Sequence, residues 1–484
     1  MSGSALNPKV LDCLERYREI VPDWKAFVAS CAAPLPPSGW LHPGRPHGLN
    51  WMREDGFDVE PLSWRAGGIR WSSGPGMAES LAYRAGLFHV QEEVSMVPVE
   101  MLAPVPGERL LDLCAAPGNK TAELATQMAG LGTVVANDRA GGRLNVLRTT
   151  IDRLGLPNVA VTVLDGRSGR FPSAWFDAAI VDVPCSCEGT LRKHPRAPLA
   201  TSAESRQRLA QVQRALLENA LRALRPGGRL VYSTCTFAPE ENECVVDQVL
   251  RTVPGVTVEP VSLSGLASSP GLTEWGGQVL HASLEHALRF WPGQVDSGGF
   301  FAVLLRKAGV DGGGTGRGEA GADAGGPGGG EAGAPETGDV RSMLEFVQTE
   351  FGLAPDWSRD LRFQLRPGKS LDAVSTDLDE APGLKPVQRG FSFLRLSGRV
   401  PKLTTQAALW LGSRPTRQVT TVSRESLWAF LRGDAVSPGP TPAGFGFAQV
   451  RCEGLPFGVG LYRPDDGALD SLYPRSWGGL GRPR

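Results

Sequence analysis

Residues 109–121, RLLDLCAAPGNKT, decide the fold. The aliphatic run over 109–116 reads as a buried strand, and the small residues and Gly118 that follow read as a tight turn into a helix. Strand, turn and helix in that order open a sheet of the α/β type, and small residues in the turn let backbone amides approach a ligand closely. A Pro-Gly turn is common, and the loop lacks the three-glycine spacing of a dinucleotide site. The segment therefore gives the layer type and leaves the ligand open.

The alternation continues to residue 307. Further strands are expected at 133–138 (TVVAND), 159–165 (VAVTVLD), 177–184 (DAAIVDVP), 228–235 (GRLVYSTC), 255–261 and 299–307. Leu144, Leu147, Ile151 and Leu154 form one helical stripe that ends at Gly155 and Pro157. A longer helix is expected from Ala203 to Leu224, stopped by Pro226, Gly227 and Gly228. Over 101–307 this predicts an α/β fold, a parallel sheet with helices on both faces. Residues 1–100 mix a helical segment (10–20) with strand-like pieces such as GIRWSS (68–73), giving a small α+β domain. Residues 308–339 are Gly/Ala-rich, have no hydrophobic period and read as a flexible linker; 340–484 read as a second small α+β domain.

The chain has 484 residues, 41% hydrophobic and 21% charged, enough apolar material for two or three cores. No stretch approaches the roughly 18 apolar residues of a membrane span, and the first residues lack a basic-then-apolar pattern, so a cytoplasmic protein without membrane attachment is expected. Eight cysteines are too sparse for a disulfide scaffold and fit free thiols. The net charge is -1, but the linker holds six acidic residues against Arg317, which leaves about +4 for the remainder. Basic residues gather in two places: Arg139, Arg143, Arg148 and Arg153 at helical spacing, and Arg192, Lys193, His194 and Arg196 in one loop.

In open parallel sheets ligands bind beyond the carboxyl ends of the strands. That rule brings Cys114–Lys120, Asp138, Asp165, Asp182 with Cys185, and Cys235 around one crevice. Asp138 is placed to accept ribose hydroxyls and Asp165 to accept an adenine amino group; each alone reads as a helix cap, together they read as an adenosyl site. A cysteine is usually a small buried hydrophobe, yet Cys185 and Cys235 beside Asp182 point to thiol chemistry. A metal reading through Cys185, Cys187, Cys235 and Cys244 matches no common zinc spacing, so no metal is expected.

LLDLCAAPGNKT (110–121), VDVPCSCEGTLRKHP (181–195) and YSTCTFAPEENE (232–243), with the lead-in GLFHVQEEVSMVP (86–98), resemble in order and spacing the motifs of the Nop/Sun (RsmB/RsmF-like) family of RNA 5-methylcytosine methyltransferases. The resemblance spans roughly 85–307 and implies a Rossmann-like class I methyltransferase sheet, S-adenosylmethionine as cofactor and RNA as partner. It implies Cys235 as the nucleophile adding to carbon 6 of cytosine, Cys185 as the residue assisting product release, and Asp182 as the base-binding group. Carbon 5 then becomes nucleophilic enough to take the methyl group. For the cofactor it implies Cys114, Ala115, Ala116, Pro117, Gly118, Asn119 and Lys120 around the methionine and ribose, Asp138 on the ribose, Arg143 nearby, Asp165 near adenine, and Asp182. Lys120 also joins the catalytic group. Arg192, Lys193 and Arg196 follow Cys185 and are expected on phosphates around an unstacked base. Asn119 and Cys187 depart from the family, standing where many relatives have glycine; Cys187 reads as a small substitute and Cys244 as a helix-face core residue.

Segments 394–412, 454–467 and 469–477 are similar to the tail of the bacterial RsmF branch. That likeness implies a PUA-like RNA-binding domain tethered by the linker, 16S ribosomal RNA as target, and a monomer. The alternatives are a transfer RNA target or an idle RNA-binding ribosome assembly factor; Cys235, Cys185 and Asp182 together weigh against idleness.

Overall fold

The computed structural model describes residues 6–168, 170–194, 202–309, 337–396, 400–439, 444 and 446–478. A sheet of ten strands among these residues occupies its centre: β1 (Arg109–Asp112), β2 (Thr133–Asn137), β3 (Val159–Thr162), β4 (Phe176–Asp182), β5 (Leu224–Thr234), β6 (Val256–Glu259), β7 (Ser269–Pro270), β8 (Leu288–Phe290), β9 (Phe300–Lys307) and β10 (Gln388–Arg389). The spatial order is β7-β8-β9-β5-β4-β1-β2-β3-β10, with β6 pairing along β9 beyond the end of β8. Strands β1 to β5 run parallel, as the aliphatic runs and intervening helices predict. Beyond β5 the expected parallel sheet gives way to antiparallel pairing of β9, β8, β7 and β6, whose connections include no crossover helix between β8 and β9.

Helices α1 (Asn119–Gln127), α2 (Leu144–Leu154), α3 (Ala203–Ala223) and α4 (Glu243–Thr252) cover the two faces. Leu144, Leu147, Ile151 and Leu154 of α2 are all buried, and Gly155 closes the helix in the left-handed conformation. Ser202 caps α3 by accepting from the Ser205 amide; the helix passes directly into β5 at Leu224, so Pro226 and Gly227 lie inside the strand segment rather than at a helix stop. No described helix is long and apolar enough to cross a membrane.

Residues 38–90 hold a four-stranded antiparallel sheet, preceded by two short helices, Pro8–Leu14 and Trp24–Ala32. These helices and the turn between them dock on the central sheet through an aromatic cluster in which Phe237 stacks on Trp291 (5.3 Å) and meets Tyr17 and Phe27 edge-on.

The C-terminal part departs from the expected single tethered unit. It forms two four-stranded sheets, one from Leu361 to Leu403 and one from Val419 to Ser471. The first adds β10 to the edge of β3: the Val387 and Gly390 amides donate to the carbonyls of Val161 and Val159 at 2.7 and 2.8 Å, and the Ser375 amide donates to Pro157. The second shares a core with the N-terminal sheet, Trp51, Phe57 and Phe88 with Phe430, Phe457 and Tyr462, and Arg424 lies 4.5 Å above the Trp51 ring. The C-terminal half is thus docked at two places, on the edge of β3 through its first sheet and on the N-terminal sheet through its second. Residues 310–336 of that stretch lie outside the described residues.

Candidate active site

The loop after β1 turns sharply at Gly118, whose φ of +113° is open to glycine; a Cβ there would meet Leu147 of α2 at 2.6 Å. Asp138, just past β2, fastens this loop: its carboxylate accepts from the amides of Ala116 (3.2 Å) and Ala140 (2.8 Å), and Arg143 donates to the Ala116 carbonyl (3.0 Å). Asn137 bonds the carbonyls of Leu113 and Leu164 and the amide of Leu164, so three strand ends are locked together. The result is a cradle of small residues, Ala115 to Gly118, with carboxylates on its rim. Cys114 lies beneath it, its thiol pushed up by burial and by Asp112, Asp138 and Asp182, and so held protonated. Asp165 sits at the mouth with a low pKa, about 2, because the Arg167 guanidinium and amide hydrogen-bond to it.

Lys120, in the first turn of α1, points across to β4. Its Nζ donates to Asp182 Oδ2 (2.7 Å) and Ser95 Oγ (3.0 Å), while Ser233 of β5 donates to Asp182 Oδ1 (2.8 Å). Burial alone would lower the Lys120 pKa; the charges of Asp182 and Asp112 outweigh it and raise it, so the ammonium stays charged. Beneath this pair Asp112 accepts from Thr121 (2.6 Å), and burial pushes its pKa up to about 7.

The ends of β4 and β5 bring the thiols together. Cys185 Sγ lies 3.4 Å from Cys235 Sγ and 3.9 Å from Cys187 Sγ. Hydrogen bonds from the other two hold Cys187 down, whereas those bonds and burial push Cys185 up. Cys235 is lowered by its bond with Cys185, but its bond with Cys187, burial and the Cys187 and Asp182 charges outweigh this and raise it. The cluster thus holds its first negative charge on the most exposed sulfur.

Both thiol loops are tied to one framework. Ser186 Oγ bonds Thr236 Oγ1 (2.6 Å), the Ser186 amide and Gln213 both donate to Glu241, and the Gly189 amide donates to the Cys235 carbonyl (2.9 Å). Tyr17, from the N-terminal helices, donates to Glu188 (2.6 Å), which also accepts from Thr236. Arg289 pairs with buried Glu243 and donates to the Phe237 carbonyl (3.0 Å).

Cys114–Lys120, Asp138, Arg143, Asp165, Asp182, Cys185 and Cys235 thus lie at the same end of the sheet. The basic loop does not behave as expected. Arg192 is only 6% exposed and its guanidinium is consumed by the carbonyls of Ala33, Pro34 and Ser297 and by Asp296, so it is a brace between loops and not a phosphate contact. Lys193 is exposed, and Arg196 lies outside the described residues. Sequence reasoning missed Ser95, Ser233 and Asn137, whose partners are distant in the chain, and read Cys187 as a filler. The acidic-thiol spacing around Asp182 gave no signal for Ser233, since a serine beside a motif cysteine has many ordinary roles.

Residues 99–306 match the family described as 16S rRNA methyltransferase RsmB/F. The chain is 39% identical to a ribosomal RNA small subunit methyltransferase F of Klebsiella pneumoniae, over 60% of this chain and 56% of that protein. It is 36% identical to a protein of the same name from Shewanella loihica, over 58% of each. The chain therefore spans little more than half the length of these curated relatives. Among solved structures, a methyltransferase homologue from Pyrococcus horikoshii superimposes with a TM-score of 0.55 at 29% identity, covering 62% of this chain and 100% of that one.

Proposed function

From the match of residues 99–306 to the family described as 16S rRNA methyltransferase RsmB/F, we propose that the chain transfers the methyl group of S-adenosylmethionine to carbon 5 of a cytosine in 16S ribosomal RNA. The observation that carries the reading is the Cys185–Cys235 pair, 3.4 Å apart on neighbouring strand ends beside the Lys120–Asp182 ion pair. The cofactor residues fit the group: Gly118, packed too closely on Leu147 for any Cβ, holds the small-residue loop Ala115–Gly118 in its tight turn, and Asp138 and Asp165 offer acceptors for ribose hydroxyls and an adenine amino group. S-adenosylmethionine, when bound, supplies a methyl group on a positively charged sulfur.

The chain's residues do the rest. Cys235, as thiolate, adds to carbon 6 of the base, forming a carbon–sulfur bond and making carbon 5 the nucleophile. Its raised pKa means that the thiolate must form in the complex, its proton ending on the ring nitrogen of the base as the sulfur adds. Asp182, held by Lys120 and Ser233, accepts hydrogen bonds from the amino and protonated ring-nitrogen edge of cytosine. After transfer, Cys185, its own proton passed to the neighbouring Cys187 thiolate, takes the carbon 5 proton; the electron pair left behind re-forms the carbon 5–carbon 6 double bond, Cys235 leaves as thiolate and the ring nitrogen gives up its added proton, restoring aromaticity. The base must be unstacked to reach these groups, and Lys193, exposed and eight residues past Cys185, is, among the described residues, the basic side chain of that loop left free to meet its phosphates. The chain acts as a monomer, and its N-terminal and C-terminal sheets, fixed to the catalytic domain, extend the RNA contact.

The test is methyl transfer from labelled cofactor to 16S RNA and to assembled small subunits, with the labelled nucleotide then mapped. Cys235→Ala abolishes transfer, and Cys185→Ala accumulates a covalent protein–RNA adduct. Normal turnover by Cys235→Ala overturns the assignment.

A further inference from the structure

Methyl transfer uses two sulfurs, and the site contains three. Cys187 follows Cys185 by two residues and bends its backbone into the left-handed region (φ 58°), which turns its thiol back toward the other two. The Sγ atoms of Cys185, Cys187 and Cys235 all lie within 4.8 Å of one another, with separations of 3.4 and 3.9 Å about Cys185. Three thiolates bound to one ion at about 2.3 Å in a tetrahedral shell stand about 3.8 Å apart. The spacing along the chain hides this arrangement, because the third sulfur comes from the neighbouring strand.

The geometry points to a trithiolate site for a soft divalent cation of the Zn²⁺ or Cd²⁺ class, whose occupancy takes the Cys235 nucleophile out of use. Thiolates favour such ions over magnesium or calcium. Binding forms one metal–sulfur bond per cysteine and releases the thiol protons that remain. Cys187 is exposed, so an ion enters from the crevice and water completes its shell. Among the described residues no fourth protein ligand joins the cluster, and Cys244 packs against the core under α4 instead. Structural zinc sites are closed by four protein ligands; an open three-sulfur site exchanges its ion. The Lys120 ammonium, close enough to Cys235 for their charges to interact, offsets the excess negative charge of three thiolates around a divalent ion.

Metal binding stands on the cluster alone; inhibition rests on the methyl-transfer reading. The full chain, reduced and desalted, is titrated with cadmium chloride while the ultraviolet thiolate-to-cadmium band and proton release are followed. One tight equivalent per chain is expected. Cys187→Gly, which suits the left-handed backbone, should weaken that step by more than about 100-fold, since losing even a residue that orients a ligand costs 10–100-fold. Cys185→Ser should weaken it similarly. Zinc should inhibit methyl transfer at the same stoichiometry, reversibly by EDTA, and Cys187→Gly should shift the inhibiting concentration, measured against its own metal-free rate, by the same factor. Equal cadmium affinity in Cys187→Gly and the parent chain, or no tight equivalent at all, overturns the site. Tight binding with an uninhibited transferase overturns the inhibition alone. A normal cadmium titration with no methyl transfer in metal-free protein overturns the proposed reaction and leaves the site standing.

Discussion

Replacing Arg192 by alanine separates a brace from a phosphate contact. The side chain donates to Ser297 O at 2.9 Å, Pro34 O at 2.6 Å, Ala33 O at 3.2 Å and Asp296 Oδ1 at 2.8 Å. A hydrogen bond from a charged donor contributes about 1.5–3 kcal/mol net. The Asp296 side chain is 57% exposed and regains water when its partner is lost, and the Ala33 bond is long. Two strong bonds to carbonyls remain, so Arg192→Ala should cost about 3–5 kcal/mol. Urea denaturation read by tryptophan fluorescence should show a lower midpoint with an unchanged slope. RNA affinity measured against salt concentration should keep its slope in this variant, because Arg192 touches no phosphate. Lys193→Ala should do the reverse, leaving the midpoint in place and reducing the salt slope by about 0.7–1. An Arg192→Ala protein with the parental urea midpoint and a reduced salt slope would refute the buried-brace account.

Asp112→Asn gives a pH signature. With a folded pKa of about 7 against an unfolded value near 4, Asp112 keeps its proton in the folded chain where the unfolded chain has released it, so it lowers stability progressively between about pH 4 and 7 and fully above that. The separation corresponds to at most about 4 kcal/mol. The variant should therefore exceed the parent in urea midpoint at pH 8, with the gap closing toward pH 4; a gap independent of pH counts against the titration. Ser233→Ala removes one of the two hydrogen bonds that orient Asp182. At about 1.5 kcal/mol for a bond to a charged acceptor, kcat/KM for RNA should fall roughly tenfold, and an unchanged value would mean that Lys120 alone orients the carboxylate.

Much of the catalytic sheet was legible because its strands are continuous aliphatic runs and α2 ends in a glycine that only a helix cap requires. The strand ends follow from the same runs, which is why the cofactor loop, Asp138, Asp182 and the two motif cysteines could be grouped in advance. Arg192 misled because a cluster of basic residues carries no sign of what it touches; all four of its partners lie more than 100 positions away in sequence, and three of them are carbonyls, which are present at every residue. Cys187 misled for a related reason. Two sulfurs in C-x-C suggest little until the next strand supplies Cys235. The docking of the C-terminal half was illegible because Gln388 and Arg389 make only backbone bonds to β3, and a two-residue strand has no periodicity to detect.

The pairing of β10 with β3 also sets an order of events during synthesis. Lys307 completes the contiguous strands of the catalytic sheet, whereas Gln388 leaves the ribosome about 80 residues later, an interval of roughly 4–16 s at ordinary elongation rates. Until then Val159 and Val161 present bare backbone groups along a flat aliphatic edge, the kind of surface that captures strands from other nascent chains. The C-terminal half thus acts as an intramolecular guard for the catalytic half, and polysomes crowded with this message are where its absence would first be felt.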